Sequence, residues 1–521
     1  MQHTIGRLSV LAVALFALLR VAPDAAQAQL VMKTETFESD PGWDGRNNRA
    51  TTPPPATVTQ NFGYSFTSNA GGPAGEIGGF ITPCGEPAYY AQSIPLATLD
   101  QPLSASGTLK VAAGGGNTLL GFFNSNTINE WRTPNSLALR IYGRDEYFYA
   151  SGEYGTSKWR AGAKAVGPGG SEYLFSSSAV YNWALSYDPN ANGGGGAISA
   201  SIGSITTVFN LDPGHRLDGA TFNRFGLLNV VKSYDGPGRL WVDNLSINGG
   251  ATQTFSSNPG YDSLRNRTTY TSTNVRPRFD FGYSPNTNFA GGAGTGEMGG
   301  HTFRGDSRPD FQGLRMAYYG DRLQQTLDLT TPLKASGKMA FVRGVTDSTT
   351  LIGFFHSTGS VRDSTNDNPT PENFMGAAIE GPSAEGFLFY PAYGIDQEGQ
   401  SPLVRGDNPP YIYPDGTSHH FQIEYDPQGN GGGGRLTVRL DGQEVFMNLL
   451  PGHKGIGASF DRFGIITTHR DGNGQTVYFD DLTYTVAIPE ASAAGLLGAM
   501  SMSGAMARRC RRTRQRSKGI Q

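Results

Sequence analysis

Cysteine is nearly absent from this chain. There are two in 521 residues, Cys84 and Cys510, so no disulfide framework can staple the fold. Cys84 has no thiolate-activating neighbour in sequence and reads as a small buried residue rather than a nucleophile. Charge is scarce as well, at 16% of residues. The one dense run of a single sign is Arg508-Arg509-Cys510-Arg511-Arg512 near the C-terminus. Between 33 and 487 no stretch carries a long apolar 3.6-residue period. The 72 glycines also argue against helical bundles, because glycine costs about 1 kcal/mol per helix-interior position relative to alanine. They follow no Gly-X-Y period, which excludes collagen. Also missing are Gly-x-Ser-x-Gly, His-Glu-x-x-His and a Walker-type loop. What is present is 11% aromatic residues in short apolar runs, which excludes general disorder and leaves a turn-rich all-β protein.

Both ends read as addresses. Arg7 gives a positive n-region, Leu8 to Leu19 is apolar, and Ala26-Gln27-Ala28 is a small-residue cleavage site. Residues 1–28 are therefore expected to be a secretory signal peptide, its apolar core being too short to span a bilayer comfortably. At the other end Ile488-Pro489-Glu490-Ala491 precedes a small, weakly apolar segment and then the arginine cluster. Residues 488–518 resemble the bacterial PEP-CTERM sorting signal, with Ala491 where that family has proline. The resemblance implies an exosortase-type processing enzyme, contact with the membrane only in transit, and release or attachment at the cell surface. The basic cluster would stay cytoplasmic by the positive-inside rule. Setting aside the seven cations of the tail, with Arg7, Arg20 and Asp24, takes the formal charge from −3 to −11. An acidic body of this kind disfavours a nucleic-acid partner.

The middle is one unit written twice. Thr36-Phe37-Glu38-Ser39-Asp40-Pro41-Gly42-Trp43-Asp44 recurs as Thr254-Phe255-Ser256-Ser257-Asn258-Pro259-Gly260-Tyr261-Asp262. Asn48-Arg49 recurs as Asn266-Arg267, Gly75-Glu76-Ile77-Gly78-Gly79 as Gly296-Glu297-Met298-Gly299-Gly300, and Pro213-Gly214-His215 as Pro451-Gly452-His453. Val242-Asp243-Asn244-Leu245 recurs as Phe479-Asp480-Asp481-Leu482. The order never changes, and so long a period means duplicated domains rather than a solenoid. The expected units are 33–249 and 253–487, joined at Asn248-Gly249-Gly250-Ala251.

Within each unit, alternating β-branched and aromatic runs end at Gly, Pro, Asn and Asp. Leu436 to Leu440, Asp441-Gly442 and Glu444 to Phe446 form the clearest hairpin, since Asp-Gly supplies the positive φ angles of a type I′ turn. The expected fold is all-β, two tandem jelly-roll sandwiches. Size and the late hairpin resemble the concanavalin A-like jelly roll of lectins, laminin-G-type domains and several glucanases, with the galactose-binding-type carbohydrate modules as the alternative. The block Asp-Pro-Gly-Trp, Asn-Asn-Arg, Phe-Gly-Tyr and Gly-Glu-Ile-Gly-Gly is similar to an uncharacterised family of secreted planctomycete-type proteins. That resemblance implies location rather than chemistry.

Carbohydrate modules of this shape set first and last strands side by side, where acids hold structural Ca²⁺ through hard oxygen ligands. By that resemblance the metal candidates are Glu38 with Asp243 in the first unit, and Asp480 with Asp481 in the second, where Ser256 replaces Glu38. The alternative is that these acids cap strand ends. Glu76 and Glu297, each flanked by glycines, either face a ligand or accept backbone N–H bonds that fix their loops. Flat aromatic faces suit pyranose rings, which nominates Trp131, Trp159, Tyr147 and Tyr149, with Tyr390, Tyr393, Tyr411 and Tyr413 in the second unit. Laminarinase-like enzymes carry a Glu-x-Asp-x-x-Glu-like strand, and retaining hydrolysis needs two carboxyls about 5 to 5.5 Å apart; neither unit shows that strand. The expected function is a secreted, non-catalytic, surface or matrix protein with duplicated carbohydrate-binding-like modules, its partner a polysaccharide or envelope glycan. The alternatives are a glycan-active hydrolase or lyase using Glu76 and Glu297, and a purely structural envelope protein.

Overall fold

The computed structural model describes residues 29–51, 56–112, 117–127, 132–230, 237–272, 278–305, 316–345, 347–362, 370–381, 385–402, 405–469 and 472–489. The signal segment 1–28, the sorting segment from residue 490 onward, and Trp131 lie outside the described residues. Residues Met32–Thr485 form one compact unit, and it is built almost wholly of antiparallel strands in four sheets. Where the sequence alternates, the strands alternate: Arg435–Leu440 reads half-buried then buried throughout, as period-2 side chains on a one-sided sheet must. Its hairpin turn is as expected, with Asp441 at φ 48° and Gly442 at φ 85°.

The sheets pair into two jelly-roll sandwiches. In the first, one sheet runs in space Ile205–Asn210, Ala197–Ile202, Val180–Asp188, Leu103–Val111, Gly238–Ile247, Glu76–Ile81, Ala56–Ser65 and Arg267–Ser272. The facing sheet runs Ala161–Ala165, Tyr147–Gly155, Ser136–Arg144, Asn117–Phe123, Thr221–Asn229, Tyr89–Thr98 and Asp262–Leu264. The second sandwich repeats the plan with Asp280–Ser284, Glu297–Phe303, Gly474–Ile488, Leu333–Gly344, Ser418–Asp426, Arg435–Leu440 and Gln443–Asn448. Its facing sheet is Asp44–Arg46, Tyr318–Asp328, Ser459–Ile466, Ser348–Phe355, Phe374–Gly381 and Leu388–Gly394. Phe62, Ile77, Leu109, Phe122, Leu139, Trp183 and Phe225 fill the first core. Each such side chain contributes about 1.5–3 kcal/mol by leaving water.

The boundaries of the sequence repeats are not those of the sandwiches. The opening segment of each repeat belongs to the other half. Asp262–Leu264 pairs with Tyr89–Ala91, and Arg267–Ser272 pairs with Ala56–Asn61. Phe255 is buried in the first core. Reciprocally, Asp44–Arg46 pairs with Tyr318–Gly320 in the second sandwich. There Trp43 packs at 5.8 Å from Tyr319 and 6.1 Å from Tyr484. The first sandwich is thus 56–247 closed by 253–272, and the second is 280–485 closed by 32–50. The units 33–249 and 253–487 expected from the repeat are corrected accordingly. Local sequence defines each strand, but does not say which of two equivalent edges it joins.

Candidate functional site

Two regions gather chemistry. The first is a glycine-rich loop set against the last strand, present in both halves. In the first half the loop leads into Glu76, which is fully buried. Its carboxylate accepts Thr67 Oγ1 at 2.5 Å, Asn69 N at 3.0 Å, Asn69 Nδ2 at 2.6 Å and Ala70 N at 2.7 Å. Glu297 does the same for Phe289 N at 2.9 Å and Ala290 N at 2.8 Å. Both acids fix their own loops.

Asp243 and Asp480 stand opposite those loops, 0% and 1% exposed. Each sits one residue before a left-handed residue, Asn244 at φ 52° and Asp481 at φ 49°. One oxygen of each accepts the next backbone N–H, at 2.6 Å from Asn244 and 2.7 Å from Asp481. The other, Oδ2, is buried with no hydrogen-bond partner among the described residues in either half. A Cβ at Gly72 would lie 2.7 Å from Asp243 Oδ2, and one at Gly292 only 1.7 Å from Asp480 Oδ2, so only glycine lets the loop approach. Burial, then the neighbouring charge of Glu76, pushes the Asp243 carboxyl up. Burial, Asp481 and Glu297 push Asp480 up to about 6. An unpaired buried carboxylate is costly, and a hard cation or a proton relieves it. Among the described residues no group of three or more His, Cys, Asp or Glu assembles, so an ion here would need loop carbonyls as further ligands.

Glu38 and Asp243 are not brought together. The exchange places Glu38 beside Gly294 on the second-half loop, its Cγ 3.6 Å from where a Cβ would be. Phe255 and Ser256 adjoin Gly75 on the first-half loop. The halves also differ in charge. Lys338 Nζ donates to Gly291 O at 2.8 Å and pairs with Asp481 at 2.8 Å. At the corresponding position of the first half is Thr108, 3.3 Å from Asn244 Nδ2.

The second region is the outer face of the hairpin Ser136–Gly155. Tyr142 lies opposite Tyr149, and Arg144 opposite Tyr147, so all four share one face. The Tyr142 and Tyr149 rings stack at 5.0 Å and 19°. Tyr147 is 45% exposed, and Tyr142 donates to the Glu172 carboxylate at 3.1 Å. Burial, then that carboxylate, raises the Tyr142 phenol, which keeps it a donor. Further along the same face Arg140 holds Glu153 at 2.6 and 2.9 Å. Arg132 also pairs with Glu153, which ties the end of its loop to this surface. Burial raises Glu153, but Arg140 and then Arg132 outweigh it and hold the acid below the usual range. In sequence, Tyr147 and Tyr149 were legible as aromatics; Tyr142 and Glu172 were missed, and the strand register that joins them was the only signal.

The remaining candidates take other places. Trp159, at φ 64°, packs edge-on against Phe387 at 5.6 Å. Tyr390 is buried against Glu380. Tyr393 is buried beside His453 at 3.2 Å, as Tyr154 is beside His215 at 2.9 Å; these histidines lock the Pro-Gly-His turns. Tyr411 is exposed and bridges to Leu388, and Tyr413 is half-buried.

No family model matches the chain, and no curated protein matches it in sequence. Among solved structures it is similar to domains LG4-5 of the mouse laminin alpha1 chain, at 10% identity over 84% of this chain and 94% of that one, TM-score 0.23. It is similar to arcelin-5, a lectin-like defense protein of Phaseolus vulgaris, at 9% identity over 37% and 87%, TM-score 0.22. It is also similar to the binding domain of botulinum neurotoxin serotype C1, at 8% identity over 83% and 99%, TM-score 0.20. These likenesses concern strand architecture alone.

Proposed function

We propose that this is an exported, non-catalytic carbohydrate-binding protein of the cell surface or extracellular matrix, sorted by its PEP-CTERM-like tail through an exosortase-type enzyme. The observation that carries the binding reading is the stacked Tyr142–Tyr149 pair with exposed Tyr147 and the acid Glu172 at its edge. Flat apolar rings beside a hydrogen-bonding acid suit a pyranose C–H face and its hydroxyls. Duplication does not double this surface. The residues facing each other in the second half at the equivalent places, Glu380 and Leu388, are buried. The partner is therefore a polysaccharide engaged through the first half. Affinity electrophoresis against a panel of extracellular polysaccharides tests it. Tyr149→Ala and Tyr147→Ala are expected to weaken binding about tenfold each, equivalent to about 1.4 kcal/mol; failure of the parent chain to bind any member overturns the reading. The hydrolase alternative fares worse, because the oxygens of Glu76 and Glu297 are engaged by their own loops.

A second reading is favoured by the orphaned Asp243 and Asp480 oxygens: a structural Ca²⁺ between the glycine-rich loop and the last strand. Asp243 would hold it in the first half with loop carbonyls. In the second half Asp480, with Glu38 and Asp481 at the same loop, would need Lys338 to give way. Calorimetric titration with Ca²⁺, lost in Asp243→Asn, checks it; an unchanged isotherm in that variant overturns it.

A further inference from the structure

The exchange of opening segments leads beyond the ligand question. Segments 32–50 and 253–272 make matching contacts on opposite halves at four pairs of residues. Asn48 Nδ2 donates to Phe281 O at 2.7 Å, and Asn266 Nδ2 to Phe62 O at 2.8 Å. Arg49 donates to Tyr283 O, and Arg267 to Tyr64 O. Arg462 pairs with Asp44 at 2.8 Å, and Arg224 with Asp262 at 2.9 Å. Trp43 lies against Tyr319, and Tyr261 against Tyr90. The covalent attachments nevertheless differ. The first sandwich is closed by a segment that leaves its own last strand through Gly249-Gly250. The second is closed by the opening segment of the body, whose next strand, Ala56–Ser65, belongs to the first sandwich.

Docking is therefore set by the segment's own contacts and not by what it is tethered to. A donor on any chain presents the same backbone groups, the same asparagine and arginine, and the same aromatic plug. We propose that this protein assembles with second copies of itself by strand donation, residues 32–50 of one chain closing the second sandwich of the next. The donor comes from the start of the body, whereas the strands that receive it, Tyr318–Asp328, Ser459–Ile466 and Gly474–Ile488, come from its far half. At high local concentration an acceptor edge meets the donors of neighbouring chains as well as its own. The contact is heterologous, so reciprocal exchange closes a dimer and sequential donation makes an open, head-to-tail chain. The closed dimer keeps every donor–acceptor contact of the single chain, and the open chain keeps all but those at its two ends.

The test uses Thr34 and Thr483, whose exposed hydroxyl oxygens are 3.2 Å apart, a separation that paired cysteine sulfurs can close into a disulfide. Full-length Thr34→Cys and Thr483→Cys chains, each carrying Cys84→Ser and Cys510→Ser so that no native thiol competes, are distinguished by mass, unfolded, mixed, refolded at graded concentration and oxidised. Donation between chains is expected to give a mixed disulfide whose share rises with concentration, at least tenfold above that from chains mixed after folding. The double variant Thr34→Cys/Thr483→Cys is expected to close within one chain when dilute and to form ladders when concentrated. Light scattering of the parent chain refolded at the same concentrations is the second measure. The proposal is overturned if the mixed disulfide stays at the level of the post-folding mixture, or if only single chains scatter at the highest concentration.

Discussion

The two halves share a strand plan and differ in many side chains, in loop lengths and in one crossing of the chain. The first half is closed by the segment that follows it, the second by the segment that opens the body. At the glycine-rich loop the first half has Thr108 and Asn244 where the second has Lys338 and Asp481. On the outer hairpin face the first half keeps Tyr142 and Tyr149 stacked at 5.0 Å. The second buries its equivalents, Leu388 in a cluster with Met316, Tyr318, Phe355 and Val361, and Glu380 against Arg304 and Tyr390. Sandwich geometry tolerates a change in where a strand comes from, while substitutions on its outer faces change which side chains each copy leaves exposed.

The largest break in this comparison is expected from the aromatic plugs. Trp43→Ala leaves a hollow among Phe37, Tyr319 and Tyr484 and is expected to cost about 3–5 kcal/mol. Tyr261→Ala, at the half-buried counterpart, is expected to cost about half as much. Urea unfolding followed by half-specific probes should show the second half yielding first in the tryptophan variant.

The cation reading sharpens the contrast next. Lys338→Thr makes the second loop resemble the first and is expected to raise Ca²⁺ stoichiometry by one. A filled site at about one hundred times its dissociation constant adds about 2.7 kcal/mol, which differential scanning calorimetry with and without chelator would read. Equal stoichiometry in parent and variant would remove this difference between the halves.

His301 offers a pH test. Its counterpart in the first half is Phe80, beneath Arg239 at 5.3 Å. Burial, then Arg343 and Arg278, lowers His301 to about 3. The folded chain keeps this histidine neutral while the unfolded chain takes up its proton below the ordinary pKa of about 6.5. Its contribution is therefore intact above pH 6.5 and drains as pH falls toward 3, reaching about 2 kcal/mol at pH 5. His301→Phe is expected to flatten that acid limb in the second half, seen as a smaller fall in Tm between pH 7 and 5. The smallest effects belong to the rim ion pairs. Arg462→Ala, which frees Asp44 and Asp461, is expected to cost about 1 kcal/mol, and Arg224→Ala rather less, because Arg224 is 20% exposed against 10% for Arg462.

Much of this was readable from residues alone. Alternation in Arg435–Leu440, Asp441-Gly442 as a turn, and the ordered list of repeated motifs led directly to an all-β duplicated body. Glu76 and Glu297 were visible as carboxylates in glycine-rich loops. Glu38 was assigned the wrong neighbour, since pairing first strand with last within a repeat assumes that each repeat closes on itself. Tyr142 was missed as a partner of Tyr149 because the turn between their strands, Asp145-Glu146, lacks the glycine that marks Asp441-Gly442. The sequence by itself determined where strands and turns fall, because those follow from backbone sterics and side-chain period over a few residues. The tertiary structure alone decided which edge each opening segment completes. Two similar segments fit two similar edges, and the long-range path of the chain chooses between them.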